Sequence, residues 1–259
     1  MKKIFFVILV ILVFVGNVKA ESPYKINLVT DLSVLAGGVG LLGVGFYSEN
    51  NIEPYSAVDI SELQNNVNRV DNIATKQWSV PLQDASNYLL YTSFVLPGSL
   101  MFSDKIRSAS KDILILYLES YLYSISLNKI VKGIVKRDRP YLYNDNPDIS
   151  IELKEEIDAR RSFYSGHTNL AFTASMLTAK IYSDFYPNSK YSGLIWGGAM
   201  LFGSAMGYCR VGGGMHYPTD VIAGAVIGGV IGYLVPEIHK TATLSTVSNG
   251  NGIILSFSF

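Results

Sequence analysis

A histidine and an aspartate four residues apart are the first candidates for chemistry in this 259-residue chain. The stretch GYCRVGGGMHYPTD places His216 after three glycines and before Asp220, with Arg210 six residues ahead of the histidine. Pro218 suits the first position of a helix, so Asp220 is expected in its opening turn, within hydrogen-bond reach of one nitrogen of His216. The other nitrogen would then be an unprotonated nucleophile or base, and the glycines would clear room beside it. The alternative is an acidic residue that a helix dipole favours.

A second histidine follows a serine and a glycine at the predicted start of another helix. In RRSFYSGHTNLAF, Ser165 and Gly166 precede an apolar run, and His167 lies in its first turn. Backbone N–H groups at a helix N-terminus favour an anion, and glycine lets the anion approach closely. The hydroxyl and the imidazole could both donate to phosphate oxygens. An ordinary helix cap formed by Ser165 is the alternative.

A basic segment supplies the third group of candidates. In VKGIVKRDRPYLYN, Lys132 and Arg139 stand seven residues apart, so both cations would share one face of a helix that Pro140 ends. Taken alone, the segment could equally be a juxtamembrane cluster that contacts lipid headgroups.

Taken together, the segments KGIVKRDRP, YSGH and CRVGGGMHYPTD resemble the three-part motif of the type-2 phosphatidic acid phosphatase superfamily. That motif reads Lys-x6-Arg-Pro, then Pro-Ser-Gly-His, then Ser-Arg-x5-His-x3-Asp, and this chain keeps its order and spacing. The resemblance extends from about Ile113 to Val235. Tyr164 replaces the proline of the second part and Cys209 replaces the serine of the third, so one phosphate hydrogen bond could be missing.

The resemblance implies a phosphatase with a covalent phosphohistidine. His216 would attack phosphorus, Asp220 would orient it, and His167 would protonate the leaving oxygen and then activate water. The phosphate would be held by Lys132, Arg139, Ser165, Gly166 and Arg210. Three cations and a helix end can supply the charge stabilisation that metals provide elsewhere, and no Asp/His cluster with metal-ligand spacing is visible in the sequence. The catalytic site is therefore expected to need no metal and no other cofactor.

Composition favours a membrane protein over a nucleic-acid-binding protein. The chain is 49% hydrophobic and only 16% charged, its net charge is zero, and its mean hydropathy is +0.25. Its single cysteine, Cys209, excludes an internal disulfide framework. Residues 1–20, MKKIFFVILVILVFVGNVKA, have the lysines, apolar run and small final residue of a cleaved signal peptide, an uncleaved anchor being the alternative.

Six apolar stretches separated by polar loops predict an all-α helical bundle embedded in a membrane. The resemblance implies that this bundle is of the phosphatidic acid phosphatase type-2/haloperoxidase kind. A soluble protein with buried core helices is the alternative. The stretches are Leu28–Phe46, Leu89–Phe102, Ile113–Val131, Leu170–Ile181, Leu194–Tyr208 and Val221–Val235. Gly224, Gly228 and Gly232, and likewise Ala199, Gly203 and Gly207, recur at every fourth residue, a spacing that lets helix backbones approach.

Loop charge predicts which segments share a side of the membrane. The short basic loop SDKIRSASKD and the loop SDFYPNSKYS are expected in the cytoplasm, and both histidine-bearing segments on the outer side, facing the periplasm. A cleaved signal peptide would leave the mature N-terminus outside, and a crossing by Leu28–Phe46 would then invert every later segment. Because this stretch holds five glycines, it is expected to lie on the surface or to be re-entrant rather than to cross.

The predicted organisation has four parts: a signal peptide at 1–20, N-terminal helices and an extracytoplasmic loop at 21–110, a catalytic core at 111–238 and a tail at 239–259. The tail could be a short strand or disordered. The resemblance implies a phosphorylated lipid as substrate, and phosphatidic acid, phosphatidylglycerol phosphate, undecaprenyl pyrophosphate and lipid A phosphates all remain open. The alternatives are a secreted acid phosphatase, a vanadium haloperoxidase and a non-catalytic protein that binds lipid phosphates. The sequence leaves the oligomeric state open.

Overall fold

The computed structural model describes residues 22–240 and the backbone of residues 243–249 and 252–258. The predicted signal peptide, residues 1–20, lies outside these residues. Helices make up the body of the protein, which confirms the predicted all-α bundle. The α-helices of the described residues are α1 (Leu28–Asn50), α2 (Ala57–Glu62), α3 (Val80–Val95), α4 (Asp104–Arg107), α5 (Ser110–Val135), α6 (Ile151–Glu155), α7 (Gly166–Phe185), α8 (Ser192–Gly212) and α9 (Pro218–Ile238).

Short 3-10 helices and one hairpin complete the described chain. The 3-10 helices are Asp71–Lys76, Leu96–Phe102, Pro140–Tyr143 and Ile157–Arg160, and the strands β1 (Thr243–Asn249) and β2 (Gly252–Ser258) pair antiparallel. The predicted apolar stretch 89–102 is therefore two elements: α3 begins nine residues before it, and a 3-10 helix with Pro97 near its start completes it. Proline cannot donate the backbone hydrogen bond that a continuing α-helix needs there.

Helix α1 lies along α5 for its whole length and runs in the same direction. The Tyr123 hydroxyl donates to Val34 O across 2.9 Å near one end, and Lys129 Nζ lies 2.6 Å from the Glu49 carboxylate near the other. The 23 residues of α1 form one continuous helix. The prediction that this stretch is surface-lying or re-entrant is therefore wrong. Several of its glycines serve the helix packing instead, since a Cβ at Gly45 would lie 2.7 Å from Lys129 Cβ.

The glycine ridge of α9 packs directly on the backbone of α7. A Cβ at Gly224, Gly228 or Gly232 would lie 2.2–2.6 Å from the carbonyl oxygens of Ser165, Asn169 and Thr173 in turn. The predicted close approach of helices is confirmed here, and it fixes the start of α9 against the start of α7. The ridge of α8 differs, because Gly203 and Gly207 face the side chains of Phe172 and Val221 instead of a backbone.

The histidine-bearing segments lie at one end of the bundle, and the two loops predicted on the other side of the membrane lie at the opposite end. The starts of α7 and α9 and the end of α5 lie at one end. At the opposite end, Lys105 Nζ donates to Phe185 O across 2.6 Å, and Lys25 N donates to His239 O across 2.8 Å. The loops SDKIRSASKD and SDFYPNSKYS therefore lie together, away from both histidine-bearing segments.

Apolar side chains cover much of the outer surface. They belong to several helices and are more than 50% exposed; examples are Leu28, Leu32, Val39, Tyr88, Leu194, Leu201, Tyr208, Ile222 and Val226. Within the described part of the chain, α1 and α9 are long and apolar enough to cross a bilayer. Exposed apolar surface on this scale is typical of helices that face lipid.

Candidate active site

His216 lies in the turn between α8 and α9 and is almost fully buried, with 1% of its surface exposed. Its backbone N–H donates to Arg210 O across 3.2 Å, which ties the turn to the last turn of α8. Helix α9 begins at Pro218 as predicted, and Asp220 lies in its first turn. His216 Nδ1 is 3.5 Å from Asp220 Oδ2 but makes no hydrogen bond within the described residues. The predicted proximity is found, and the predicted hydrogen bond is not formed.

Asp220 accepts hydrogen bonds from three other groups, which explains the longer separation from His216. Ser162 Oγ donates across 2.5 Å and the Tyr217 backbone N–H across 3.0 Å, both to Oδ2. Arg137 Nη1 lies 2.5 Å from Oδ1. The carboxylate itself is fully buried. Its position is therefore set by this network as well as by the histidine.

Arg137 is a central member of the site that the sequence interpretation missed. Its guanidinium bridges two buried carboxylates, Asp220 and Asp71, and its Cζ lies 4.1 Å from the centre of the Tyr217 ring. Asp71 also accepts from the backbone N–H and the hydroxyl of Thr219, at 3.0 and 2.7 Å. Burial alone would raise the pKa of Asp71, but the hydrogen bond from Arg137 lowers it below its ordinary value. Nothing in the sequence marks Asp71, which lies 149 residues before Asp220.

The glycine turn before His216 makes room for another segment of the protein rather than for a substrate. A Cβ at Gly214 would lie 2.2 Å from Gln77 O, and this residue has a φ of +71°. Added Cβ atoms at Gly212 and Gly213 would meet Leu82 Cδ1 at 2.7 Å and Gln83 Cγ at 3.0 Å. The prediction that these glycines clear space beside the nucleophile is therefore wrong. They let the segment leading into α3 pack against the turn.

Arg139 reaches the site from outside a helix. Helix α5 ends at Val135, and Lys136 has a left-handed φ of 48°, so the predicted shared helical face of Lys132 and Arg139 is wrong. Pro140 does not end α5 and instead begins a 3-10 helix. Arg139 is 4% exposed and donates from Nη1 to Met215 O across 3.1 Å, next to His216 in the chain. The left-handed turn redirects the chain and brings this cation back towards Lys132.

Arg210 is the third predicted phosphate-binding cation, and one of its N–H groups has no hydrogen-bond partner among the described residues. It lies in the last turn of α8, is 4% exposed, and donates from Nη1 to Ser86 Oγ across 3.1 Å. Its Nε, although buried, has no hydrogen-bond partner among the described residues, and the same holds for the hydroxyl of Tyr141. Buried donors without a partner are rare and costly, so these two atoms are candidate contacts for a phosphate oxygen.

The second histidine occupies the predicted helix start. Ser165 is the N-cap of α7 and accepts from Thr168 N across 3.4 Å, and His167 lies in the first turn. His167 Nε2 is 3.3 Å from Asn87 Oδ1 on α3, a contact that the sequence did not reveal. Gly166 gives space to Asn128, whose Oδ1 would lie 2.8 Å from an added Cβ. Ser165 N donates to Asp220 O across 3.1 Å, which joins the two histidine-bearing helix starts.

An acidic residue that the motif does not include also belongs to the site. Asp158 accepts from Arg139 Nη2 across 2.7 Å, and the Asp158 backbone carbonyl accepts from Arg139 Nε across 2.9 Å. Burial alone would raise the pKa of Asp158, but the cations Arg139 and Lys132 lower it to about 2. The carboxylate is therefore ionised and holds Arg139 in place.

The environment of His216 favours the neutral imidazole. Burial lowers the pKa of His216 well below its ordinary value, and the positive charges of Arg139, Arg210 and Lys132 lower it further. The same three cations that the motif assigns to phosphate binding thus act together on this one side chain. A neutral imidazole beside three cations is suited to attack an anionic phosphorus centre.

A cavity of about 250 Å³ adjoins Lys132, whereas Arg139, Arg210 and His216 do not line it. It is lined by residues of α1, α5, α7 and the segment before α7, among them Lys132, Asp158 and Gly166 from the site. Ile125 and Leu170 lie at its apolar side.

Comparisons with known proteins match the part of the chain that carries the three motifs. Residues 113–244 match the model of the PAP2 superfamily. The bacitracin transport permease protein BcrC of Bacillus licheniformis is 27% identical over 173 residues, covering 66% of this chain and 78% of that protein. The lipid A 4'-phosphatase of Porphyromonas gingivalis is 24% identical over 170 residues, covering 62% of this chain and 68% of that protein.

One solved structure aligns with most of this chain. It is the transmembrane PAP2-type phosphatidylglycerolphosphate phosphatase from Bacillus subtilis. The identity is 19% and the TM-score 0.46, over 92% of this chain and 96% of that one.

Proposed function

This chain belongs to the PAP2 superfamily and is a phosphatase, and from that premise we propose that it releases phosphate from a phosphorylated membrane lipid through a covalent intermediate on His216. The observation that carries this proposal is the environment of His216. The side chain is buried, and Lys132, Arg139 and Arg210 all lie close enough to lower its pKa.

In the first step, His216 Nε2, the ring nitrogen remote from Asp220, attacks the phosphorus atom in line with the leaving oxygen. A P–N bond forms while the P–O bond to the lipid breaks. His167 enters this step as the imidazolium, a form that the negative charge of the bound phosphate favours, and gives its proton to the departing oxygen. The imidazole of His216 becomes cationic in this step. Asp220, 3.5 Å from Nδ1, then stabilises that charge.

In the second step, His167 removes a proton from water, and the resulting hydroxide attacks phosphorus. The P–N bond breaks, inorganic phosphate leaves, and His216 is neutral again. The nonbridging oxygens carry negative charge throughout. This charge is stabilised, without any reorganisation of the site, by three cations and one helix N-terminus. The cations are Lys132, Arg139 and Arg210, and the N-terminus is that of α7 at Ser165 and Gly166.

Arg139 is preorganised for this task by its neighbours. Its Nε and Nη2 are bound to Asp158, and its Nη1 to Met215 O, so its side chain has one conformation before any substrate enters. Preorganised donors stabilise a transition state better than mobile ones, because no ordering cost remains at the moment of reaction.

A lipid substrate is supported by the surface of the bundle and by the cavity beside Lys132. Apolar side chains on α1, α8 and α9 face outwards, so the site lies at the end of a lipid-facing body. The cavity of about 250 Å³ has room for part of a headgroup between α1, α5 and α7. A secreted, soluble acid phosphatase would have to expose the same apolar helices to water, which disfavours that alternative.

We place the site on the periplasmic side, with the opposite end of the bundle in the cytoplasm. The short basic loop SDKIRSASKD lies at that opposite end, as the positive-inside rule prefers. Because α1 extends from that end to the site, its first residue, Leu28, is then cytoplasmic. A cleaved, exported N-terminus is incompatible with this orientation and would instead place the site in the cytoplasm.

Phosphate release by the protein purified in detergent tests the proposed function. Phosphatidic acid, phosphatidylglycerol phosphate, undecaprenyl pyrophosphate and lipid A are compared with a water-soluble aryl phosphate. We expect release from at least one lipid to exceed that from the aryl phosphate, and we expect His216→Ala and His167→Ala each to lower turnover by about 10²–10⁴-fold. A folded His216→Ala variant with near-normal turnover would refute the proposed nucleophile.

Matched lysines separate catalysis from simple binding of lipid phosphates. Lys132→Ala is expected to lower activity strongly, whereas Lys136→Ala is expected to leave it close to normal. Lys136 has the same charge and lies four residues away, but its Nζ donates to Asn51 O outside the site. No turnover in the parent protein, together with equal losses of lipid-phosphate binding in both variants, would instead identify a non-catalytic lipid-binding protein.

A further inference from the structure

Three buried side chains at the end of the bundle opposite the active site direct their ligand atoms at one point. They are Asp31 on α1, Glu119 on α5 and His239, which follows α9. His239 Nε2 is 3.1 Å from Asp31 Oδ1 and 3.2 Å from Glu119 Oε2. Helix α9 has 21 residues, so this cluster lies roughly 30 Å from the phosphate site at its other end.

His239 can present the lone pair of Nε2 to a cation, because its other nitrogen carries the ring proton. Its Nδ1 is 2.8 Å from the backbone carbonyl of Val235, and because a carbonyl oxygen can only accept, Nδ1 carries a proton. A backbone carbonyl that accepts from the second nitrogen is the usual support of a metal-binding histidine. The free nitrogen then faces two carboxylates.

The buried carboxylate of Glu119 indicates that this cluster holds a positive charge. It is fully buried, and neither of its carboxylate oxygens has a hydrogen-bond donor among the described residues. Asp31 Oδ2 is also buried without a partner. Protonation of His239 at Nε2 would supply one N–H, and the Asp31 carboxylate lies in position to receive it. This single N–H would be shared with Glu119 Oε2 at 3.2 Å, and Glu119 Oε1 and Asp31 Oδ2 would still have no donor among the described residues, although buried carboxylate oxygens without a partner are strongly disfavoured.

We propose that Asp31, Glu119 and His239 bind a divalent first-row metal ion of the Zn²⁺ class. Imidazole nitrogen and carboxylate oxygen are both accepted ligands of zinc. Ligands that bind zinc tetrahedrally at 2.0–2.1 Å are about 3.3 Å apart, close to the two separations seen here. The unpartnered Asp31 Oδ2 and Glu119 Oε1 provide further oxygen ligands.

The role of this ion is structural, because it joins three helices that come from distant parts of the chain. Through its three ligands, the ion would fix the start of α1, at Asp31, and the end of α9, at His239, to the first half of α5, at Glu119. Binding to the folded state alone stabilises that state. The ion is remote from the phosphate, so this proposal does not depend on the proposed function and supplies no step of the reaction.

Metal analysis of the full-length protein, purified in detergent without chelator, tests the site. We expect about one metal ion per chain after dialysis, lost in Glu119→Gln and His239→Ala. Asp112→Asn is the matched control, since Asp112 lies on the same helix two turns earlier, outside the cluster. We also expect EDTA to lower the melting temperature of the parent protein and of the control, and Zn²⁺ alone to restore it.

The sign of the Glu119→Gln effect provides a second, independent readout. If a metal ion is bound, the substitution removes a ligand and lowers the melting temperature. If the cluster shares only a proton, the neutral amide removes a buried charge and the melting temperature stays unchanged or rises. A parent protein without stoichiometric metal and without a Zn²⁺-dependent shift in melting temperature would overturn the proposal.

Discussion

Arg137 Nη1, on a side chain that is 24% exposed, lies 2.5 Å from Oδ1 of the fully buried Asp220. Through this contact, a residue at a variable position of the first motif segment holds the carboxylate that faces His216. The other side of the guanidinium binds Asp71, which in turn binds the start of α9 through Thr219. The position of the predicted nucleophile thus depends on a segment that precedes the catalytic core in the sequence.

Loss of Arg137 is therefore expected to destabilise the fold and to impair catalysis together. Arg137→Ala leaves two buried carboxylates without their cation, a change that typically costs about 3–5 kcal/mol of unfolding free energy. Lys76→Ala is the matched control, because Lys76 is an exposed cation near Asp71 in the chain. Denaturation in detergent measures the stability of both variants, and phosphate release measures their turnover. Equal stability of the two variants would contradict the role of Arg137.

The pH dependence of stability should report on His216. Because the folded-state pKa of His216 lies below its unfolded value of about 6.5, the unfolded chain takes up a proton that the folded protein does not. Stability is therefore expected to decrease as the pH falls from 7 towards 5, by up to about 1.4 kcal/mol per pH unit from this one group.

The comparison with His216→Ala isolates this contribution. His167 and His239 are present in both proteins, and the pKa of Asp158, about 2, lies well below this pH range. The variant is expected to show the smaller loss of stability between pH 7 and 5. An identical pH dependence in both proteins would show that His216 titrates normally in the folded state.

Catalysis is expected to proceed without a metal and to be inhibited by vanadate. Vanadate can adopt the five-coordinate geometry of the phosphorus centre among Lys132, Arg139 and Arg210. A chelator should leave turnover intact at temperatures below the melting temperature of the metal-free protein.

The Glu119→Gln variant distinguishes a structural metal from a catalytic one. At temperatures at which this variant remains folded, its turnover should be insensitive to both EDTA and Zn²⁺. Activity that disappears in EDTA while the protein stays folded, and that returns with a divalent cation, would refute the cation-only phosphate site.

The proposed orientation predicts which cysteines an impermeant thiol reagent can label in intact spheroplasts. In a Cys209→Ser background, Asp145→Cys at the site end should react. Asn188→Cys and Lys25→Cys at the opposite end should not. Asp145, Asn188 and Lys25 are all exposed.

The reverse pattern would place the site in the cytoplasm and would agree with a cleaved signal peptide. Labelling at all three positions, with the protein released by osmotic shock, would favour the secreted acid phosphatase. Lys25→Cys is the most direct of the three, because it reports the side on which α1 begins.

The sequence alone was sufficient for the local features of the site. The helix starts at Ser165 and Pro218 and the helix end near Arg210 follow from short-range preferences for caps and turns. The glycine spacing of α9 likewise predicted a close helix contact. The family followed from the spacing of three motifs.

The tertiary structure decided every feature that joins distant segments. A left-handed residue at Lys136 removed Arg139 from the helix of Lys132, and the glycines before His216 proved to face Gln77 and α3. Spacing along the chain gives no signal for Asp31, Glu119 and His239, which are separated by 88 and 120 residues. Local sequence determines backbone conformation, whereas buried charges find their partners only when packing brings remote helices together.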